Sequence, residues 1–130
     1  MVAFEIDHKK GLPIYLQIIE QIKHFIATGK LSVGEQLPTV RTLSVQLSVN
    51  VNTIAKAYTE LEQVGIVETR QGIGTFVKKQ ETVLEKHERA EKLHSLASAF
   101  IDEAVLFGYT PDEITETVQK LIRELIPDIK

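Results

Sequence analysis

Residues 37–61 read Leu37-Pro38-Thr39-Val40-Arg41-Thr42-Leu43-Ser44-Val45-Gln46-Leu47-Ser48-Val49-Asn50-Val51-Asn52-Thr53-Ile54-Ala55-Lys56-Ala57-Tyr58-Thr59-Glu60-Leu61, two short helical patterns separated by a tight turn. Thr39 is a candidate N-cap, because its hydroxyl can accept from an early helical N–H that has no carbonyl partner. Behind it Val40, Leu43 and Leu47 form the apolar side of a short helix. Ser48-Val49 supplies the turn, and Asn50 is a candidate cap for the helix that follows. In that helix Ile54, Ala57, Tyr58 and Leu61 recur on one inward side, and Gly65 ends it. The inward stripe leaves Asn52, Thr53 and Lys56 on the opposite surface, near the helix N-terminus.

The flanking segments complete a fold. Upstream, Pro13 is expected as a first helical residue, where its missing N–H has no cost. Tyr15, Ile18, Ile19, Ile22, Phe25 and Ile26 then follow as one helical stripe, stopped by Gly29. Downstream, residues 66–70 and 75–77 read as strands joined by Gln71-Gly72-Ile73-Gly74. Helix, short helix, turn, helix and β-hairpin is the order of a winged helix-turn-helix, mainly α with a small β-wing. The Gly72-Ile73-Gly74 pair is not a nucleotide loop, since no third glycine follows and no helix starts after it.

A third helix of this kind can place amides and hydroxyls against base edges in the major groove, while its N-terminal dipole favours phosphate. An ordinary solvated helix face would carry the same residue types. Asn50 also reads simply as a cap, Thr53 as a helix-start residue and Gly72 as a turn glycine.

The motifs of this region resemble the GntR family of bacterial transcriptional regulators over roughly two thirds of the chain. Pro13-Ile14-Tyr15-Leu16-Gln17-Ile18 resembles the opening of that family's first helix. Gly29-Lys30-Leu31, Gly34 and Leu37-Pro38-Thr39-Val40-Arg41-Thr42-Leu43 resemble its second-helix signature. Val49-Asn50-Val51-Asn52-Thr53-Ile54, Lys56-Ala57-Tyr58 and Leu61-Glu62 resemble its recognition helix, and Gly65-Ile66 with Gly72-Ile73-Gly74-Thr75-Phe76-Val77 its wing. The resemblance implies that Arg41 contacts the operator, with a guanidinium fork suited to guanine O6 and N7; a surface ion pair with Glu35 is the alternative. It implies base and phosphate contacts for Asn50, Asn52 and Thr53, and a minor-groove approach for Gly72, flanked by Arg70 and Gln71. Thr39, Arg41, Asn50, Asn52, Thr53, Lys56, Arg70, Gln71 and Gly72 are therefore the candidate DNA-contacting residues. The chain also departs from the family pattern. Val51 and Ala55 stand where many members carry arginine, and Ser44 and Ser48 replace the usual Ala and Gly. Fewer cations on this helix imply weaker phosphate binding.

Composition narrows the function classes. The 130 residues are 43% hydrophobic and 25% charged, with no cysteine, so disulfides, zinc-thiolate sites and cysteine nucleophiles are excluded. No run of 18 apolar residues occurs, and the first ten residues carry Glu5 and Asp7, so neither a spanning helix nor a secretory signal is expected. A cytoplasmic protein without a cofactor or membrane partner fits. The net charge of −3 divides unevenly. Residues 1–79 hold nine Lys and Arg against seven Asp and Glu, residues 80–130 six against eleven. A head so mildly basic must rely on a few placed residues and on twofold duplication to hold DNA.

The acidic tail carries its own pattern. Residues 81–92 are strongly charged, with Glu85/Arg89 and Glu88/Lys92 spaced to support a helix. Leu93, Ala97, Phe100, Ile101 and Ala104 add an apolar stripe that ends at Gly108. Thr110-Pro111-Asp112-Glu113 is a capping box with proline at the first helical position. Ile114, Val118, Leu121, Ile122 and Leu125 line the next helix, and Pro127 stops it. Two striped helices cannot bury both faces alone, so a homodimer through these C-terminal helices is expected. Domains at 1–79 (winged helix-turn-helix) and 80–130 (two-helix dimerisation tail) follow. A tail so short resembles the YtrA-type branch of the family, which implies repression from an inverted-repeat double-stranded DNA operator, with an unknown small-molecule effector left open. His87, Glu91 and His94 share one helix face as metal ligands would, but solvated faces yield such triplets and no metal is assigned. A winged-helix module that binds protein rather than DNA is the second reading. An enzyme is the third, lacking any acid-base or nucleophile arrangement.

Overall fold

A computed structural model describes residues 3–9, 11–79 and 86–126. The chain divides into two compact units, Met1–Gln80 and Glu81–Lys130.

The first unit is built from α1 (Ile14–Ala27), α2 (Val40–Leu47), α3 (Val51–Gln63), β1 (Val67–Arg70) and β2 (Gly74–Val77). Pro13 precedes α1 as its N-cap instead of opening it. Its φ of −53° suits a helix, but the pyrrolidine ring leaves ψ free, and ψ is extended at 146°. The Pro13 carbonyl accepts from the Leu16 and Gln17 N–H groups at 3.1 Å each. The apolar stripes of the three helices converge. Ile18, Ile22, Leu43, Ile54 and Leu61 are fully buried, and Phe25, Leu37, Val49, Ala57, Tyr58, Val67 and Val77 complete the core. Truncating any of those large aliphatic residues to alanine costs about 2–5 kcal/mol. The angle of α3 is therefore set by what lies beneath it.

The hairpin is antiparallel, with Val67 opposite Val77 and Arg70 opposite Gly74. Residues 34–37 run along the other edge of β2. Leu37 N–H donates to the Thr75 carbonyl at 2.8 Å, Val77 N–H to Glu35 at 2.9 Å, and Gly34 N–H to Val77 at 2.9 Å. The wing is thereby fastened to the segment that leads directly into α2.

An additional N-terminal layer has no counterpart in the helical pattern. Gln17 is only 4% exposed, although it is polar. Its carboxamide accepts from Asp7 N–H and donates to the Asp7 and Leu12 carbonyls, all at 2.9 Å. One turn later the Gln21 carboxamide makes the same two-way pairing with Glu5. The two side chains act as a strand edge for residues 5–7, and Phe4 meets Phe25 edge-on at 5.2 Å between ring centres.

The second unit holds α4 (Lys86–Leu106) and α5 (Pro111–Leu125). The capping box at Thr110 is formed in both directions, with Glu113 N–H on the Thr110 hydroxyl and Thr110 N–H on the Glu113 carboxylate. No residue of α5 is buried. Ala104, Ile114 and Val118 reach intermediate burial near the corner. Leu93, Leu96, Phe100, Ile101, Val105, Leu121 and Ile122 remain exposed, Leu93 by 68% and Phe100 by 47%. Residues 81–85 and Pro127 lie outside the described residues. Among the described tail residues the i,i+4 side-chain contacts to carboxylates are His87–Glu91 at 3.1 Å and the ion pair Lys120–Glu124 at 4.0 Å. Glu88 and Lys92 do not pair, as expected for solvated side chains whose contact is worth only about 0.3–0.5 kcal/mol. No described helix is long and apolar enough to cross a membrane.

Candidate nucleic-acid interface

The turn between α2 and α3 sets the geometry of the site. Thr39 caps α2, its hydroxyl accepting from Thr42 N–H at 3.1 Å and paired with the Thr42 hydroxyl at 2.8 Å. At the far end Ser48 adopts the left-handed conformation, φ 54° and ψ 45°, and is the only described residue other than glycine with positive φ. Serine replaces the glycine that this position favours, which costs about 1–2 kcal/mol in backbone strain. Ser44 offsets part of it, since its hydroxyl donates to the Val49 carbonyl inside the turn. Asn50 then caps α3 through its side-chain oxygen, which accepts from Asn52 N–H at 2.7 Å. Below, the Tyr58 hydroxyl donates to the Pro38 carbonyl at 2.7 Å, tying α3 to the entrance of α2. Burial pushes the Tyr58 phenol well above its usual range, so it stays a neutral donor.

Arg41 lies exposed on α2, opposite the buried Leu43. Among the described residues it has no hydrogen-bond or ion-pair partner. The alternative pairing with Glu35 does not form: that carboxylate accepts from Ser32 N–H at 3.0 Å, closing its own turn. Asn52 is exposed in the first turn of α3, and Thr53 is half-buried beside it. Lys56 is exposed but not free-standing, for its ammonium rests over the Tyr15 ring at 4.0 Å from the centroid. Tyr15 packs against the core as the helical stripe implies, and its ring also reaches this surface.

The wing tip behaves differently from expectation at one position. Gln71 and Gly72 are exposed at the tip, Gly72 with φ 78°. Arg70 does not project from it. Its guanidinium lies over the Phe76 ring at 4.2 Å and meets Glu68 at 2.9 Å. The cross-strand pairing that sets Phe76 opposite Glu68 brings both partners to Arg70. Thr39, Arg41, Asn50, Asn52, Thr53 and Lys56 stand on two helices packed together, and the tip residues on a hairpin fastened to residues 34–37. His87, Glu91 and His94 are remote in sequence and belong to the second unit. There, among the described residues, no group of three His, Cys, Asp or Glu is close enough to hold a metal ion.

The family model for bacterial regulatory proteins of the gntR family matches residues 14–77, which span α1 to β2. The HTH-type transcriptional repressor YtrA of Bacillus subtilis (strain 168) is 35% identical over 97% of this chain and 94% of its own. The chain belongs to the gntR family. Within it the match to YtrA runs through both units, so this is a YtrA-type regulator. Two solved structures have a similar fold. A transcriptional antiterminator from Listeria monocytogenes EGD-e superposes with TM-score 0.79 at 31% identity, covering 96% of this chain and 93% of that one. The AraR DNA-binding domain in complex with operator ORR3 superposes with TM-score 0.50 at 34% identity, covering 58% of this chain and 92% of that one.

Proposed function

We propose that this gntR-family regulator binds an inverted-repeat operator in duplex DNA as a homodimer and represses transcription in the cytoplasm. The observation that carries the reading is the exposed Arg41 on α2, without a partner among the described residues, beside the capped N-terminus of α3. A guanidinium held out without a carboxylate is ready for a base edge or phosphate. In this reading Arg41 reads guanine, and Asn50, Asn52 and Thr53 contact bases or backbone at the start of α3. Lys56 neutralises a phosphate from its seat on Tyr15. Thr39 sits at the α2 entrance close to the same backbone. Gln71 and Gly72 approach the minor groove, and Arg70 supports them from the strand. The operator complex of the related AraR domain supports this assignment, as does the repressor name of YtrA.

Homodimerisation rests on the tail, the two-helix unit that follows the DNA-binding head. A chain whose α4 and α5 expose Phe100, Ile101, Leu121 and Ile122 has half of a core, and a second copy supplies the other half. A small-molecule effector would act by shifting how the two heads are spaced. The test is a selection of bound duplex from a random library, followed by gel shifts with the recovered sequence. Recovery of a twofold-symmetric site with half-sites roughly 10 base pairs apart is expected. Recovery of no preferred sequence would leave the winged helix as a protein-binding module.

A further inference from the structure

The wing tip is restrained more than a three-residue loop requires. Arg70 pairs with Gly74, so Gln71, Gly72 and Ile73 make the loop. Ile73 N–H donates to the Arg70 carbonyl at 2.9 Å. Its own carbonyl accepts from Gln36 Nε2 at 3.1 Å. Gly72 makes the reversal at φ 78°, and Gly74, at φ 145°, lies so close over Gln36 that a β-carbon there would collide with the carboxamide. Gln36 is itself held on β2, opposite Phe76. Both backbone polar groups of Ile73 are thus satisfied inside the protein, while its side chain is 65% exposed. A single exposed apolar residue is ordinary. One whose backbone is fastened at both polar atoms, next to a glycine with no bulk of its own, is a rigidly presented apolar surface.

We propose that Ile73 packs its aliphatic side chain on the floor of the operator's minor groove and excludes guanine there. This inference rests on the DNA-binding reading above. In the minor groove every base pair offers acceptors, and only G·C adds a donor, the guanine 2-amino group. An isoleucine cannot accept from it, so covering that group leaves a donor unsatisfied. The floor of an A·T pair carries no such donor. Gln71, exposed beside Ile73, has a carboxamide oxygen that could accept, and it must be separated from Ile73 in the test.

The experiment uses the full chain and the duplex recovered by selection, with the pairs under the wing located by base substitution. At those pairs A·T, G·C and inosine·C are compared. Inosine·C keeps the major-groove face of G·C and lacks only the 2-amino group. Wild type should lose about 5- to 150-fold in affinity on changing A·T to G·C. Inosine·C should restore binding to within roughly twofold of A·T. Ile73→Ser should bind A·T and G·C alike, and Gln71→Ala, whatever it does to overall affinity, should keep the wild-type ratio of A·T to G·C binding, both with native circular dichroism. If inosine·C binds as weakly as G·C, or Ile73→Ser keeps the discrimination, the proposal is overturned. If no duplex is selected at all, the DNA-binding reading fails and this proposal with it.

Discussion

Arg41→Ala separates folding from recognition unusually well. The side chain is exposed and makes no described hydrogen bond or ion pair, so its loss should change stability by less than about 0.5 kcal/mol. A bidentate contact to guanine is worth about 1–3 kcal/mol against the wrong base. In the proposed dimer two heads related by a twofold axis lose it together, so the complex forfeits about 2–6 kcal/mol if the half-sites are independent. That is roughly 30-fold at the lower end and more than 10⁴-fold at the upper. Arg41→Lys keeps the charge without the fork, and should retain phosphate attraction while losing base choice.

The assay is a base-substitution scan of the operator, read by fluorescence anisotropy at fixed salt, with wild type, Arg41→Ala and Arg41→Lys. Wild type should show a guanine preference at one position in each half-site. Both variants should bind every base there alike, with Arg41→Lys tighter than Arg41→Ala throughout. If Arg41→Ala keeps the wild-type preference at every position, Arg41 does not read a base. A melting temperature lowered by several degrees would show instead that the side chain has a structural role not evident from its exposure.

Three other perturbations have defined outcomes. Ser48→Gly relieves the left-handed strain at φ 54° and loosens the unfolded chain, for a net gain of about 0.5–1 kcal/mol and a melting temperature roughly 2–6 °C higher; calorimetry at matched concentration checks it, and a decrease refutes the strain argument. Lys56→Ala should weaken all duplexes alike and reduce the salt slope by about one per head, Tyr15→Leu should do part of the same, and Tyr15→Phe should not, as read from binding across a salt series. Phe100→Glu with Ile122→Glu places charge on both tail stripes, and sedimentation should report a monomer with reduced operator affinity; an unchanged dimer would move the interface to the head.

The winged helix-turn-helix was legible because its signals are local. The stripes on α1, α2 and α3 and the caps Thr39 and Asn50 each act within a turn or two of helix, and all are realised. Ends moved by a residue where the pattern lacks force, as at Pro13 and at the ends of the strands. What pattern reading missed depends on contacts between distant segments. Residues 34–37 join β2 by backbone bonds that no side-chain alternation announces. Gln17 was hidden because periodicity sends polar residues outward, whereas this carboxamide is buried as a substitute strand edge. The pair Gln17 and Gln21, one helical turn apart and opposite the alternating Phe4 and Ile6, was the available signal. Among the candidate site residues, those on short side chains at helix starts were placed by their caps. Lys56 and Arg70 were not, because a long cation goes where an aromatic face takes it, and Tyr15 and Phe76 are neighbours only in space.

The tail shows the opposite relation between local and global signals. Its helix boundaries are defined within the chain, by Gly108 and by the reciprocal Thr110–Glu113 cap. The stripe of α5 is just as plain and that of α4 is weaker, yet within one chain they cover almost nothing. A helix of 15 residues is marginal alone in water, and the 21-residue helix too draws most of its stability from packing an apolar face. On the dimer reading, folding of the tail and association of two chains therefore become one equilibrium, which shifts with protein concentration. The head has a buried core of its own and does not share that dependence. Operator affinity should then fall on dilution while the head stays folded, because each free head would hold DNA through one half-site alone. Pairing turns the second half-site contact into an intramolecular event, and this multiplies affinity without adding a contact. On the dimer reading, a head with a net charge of only +2 can serve a DNA-binding regulator because the tail supplies that multiplication.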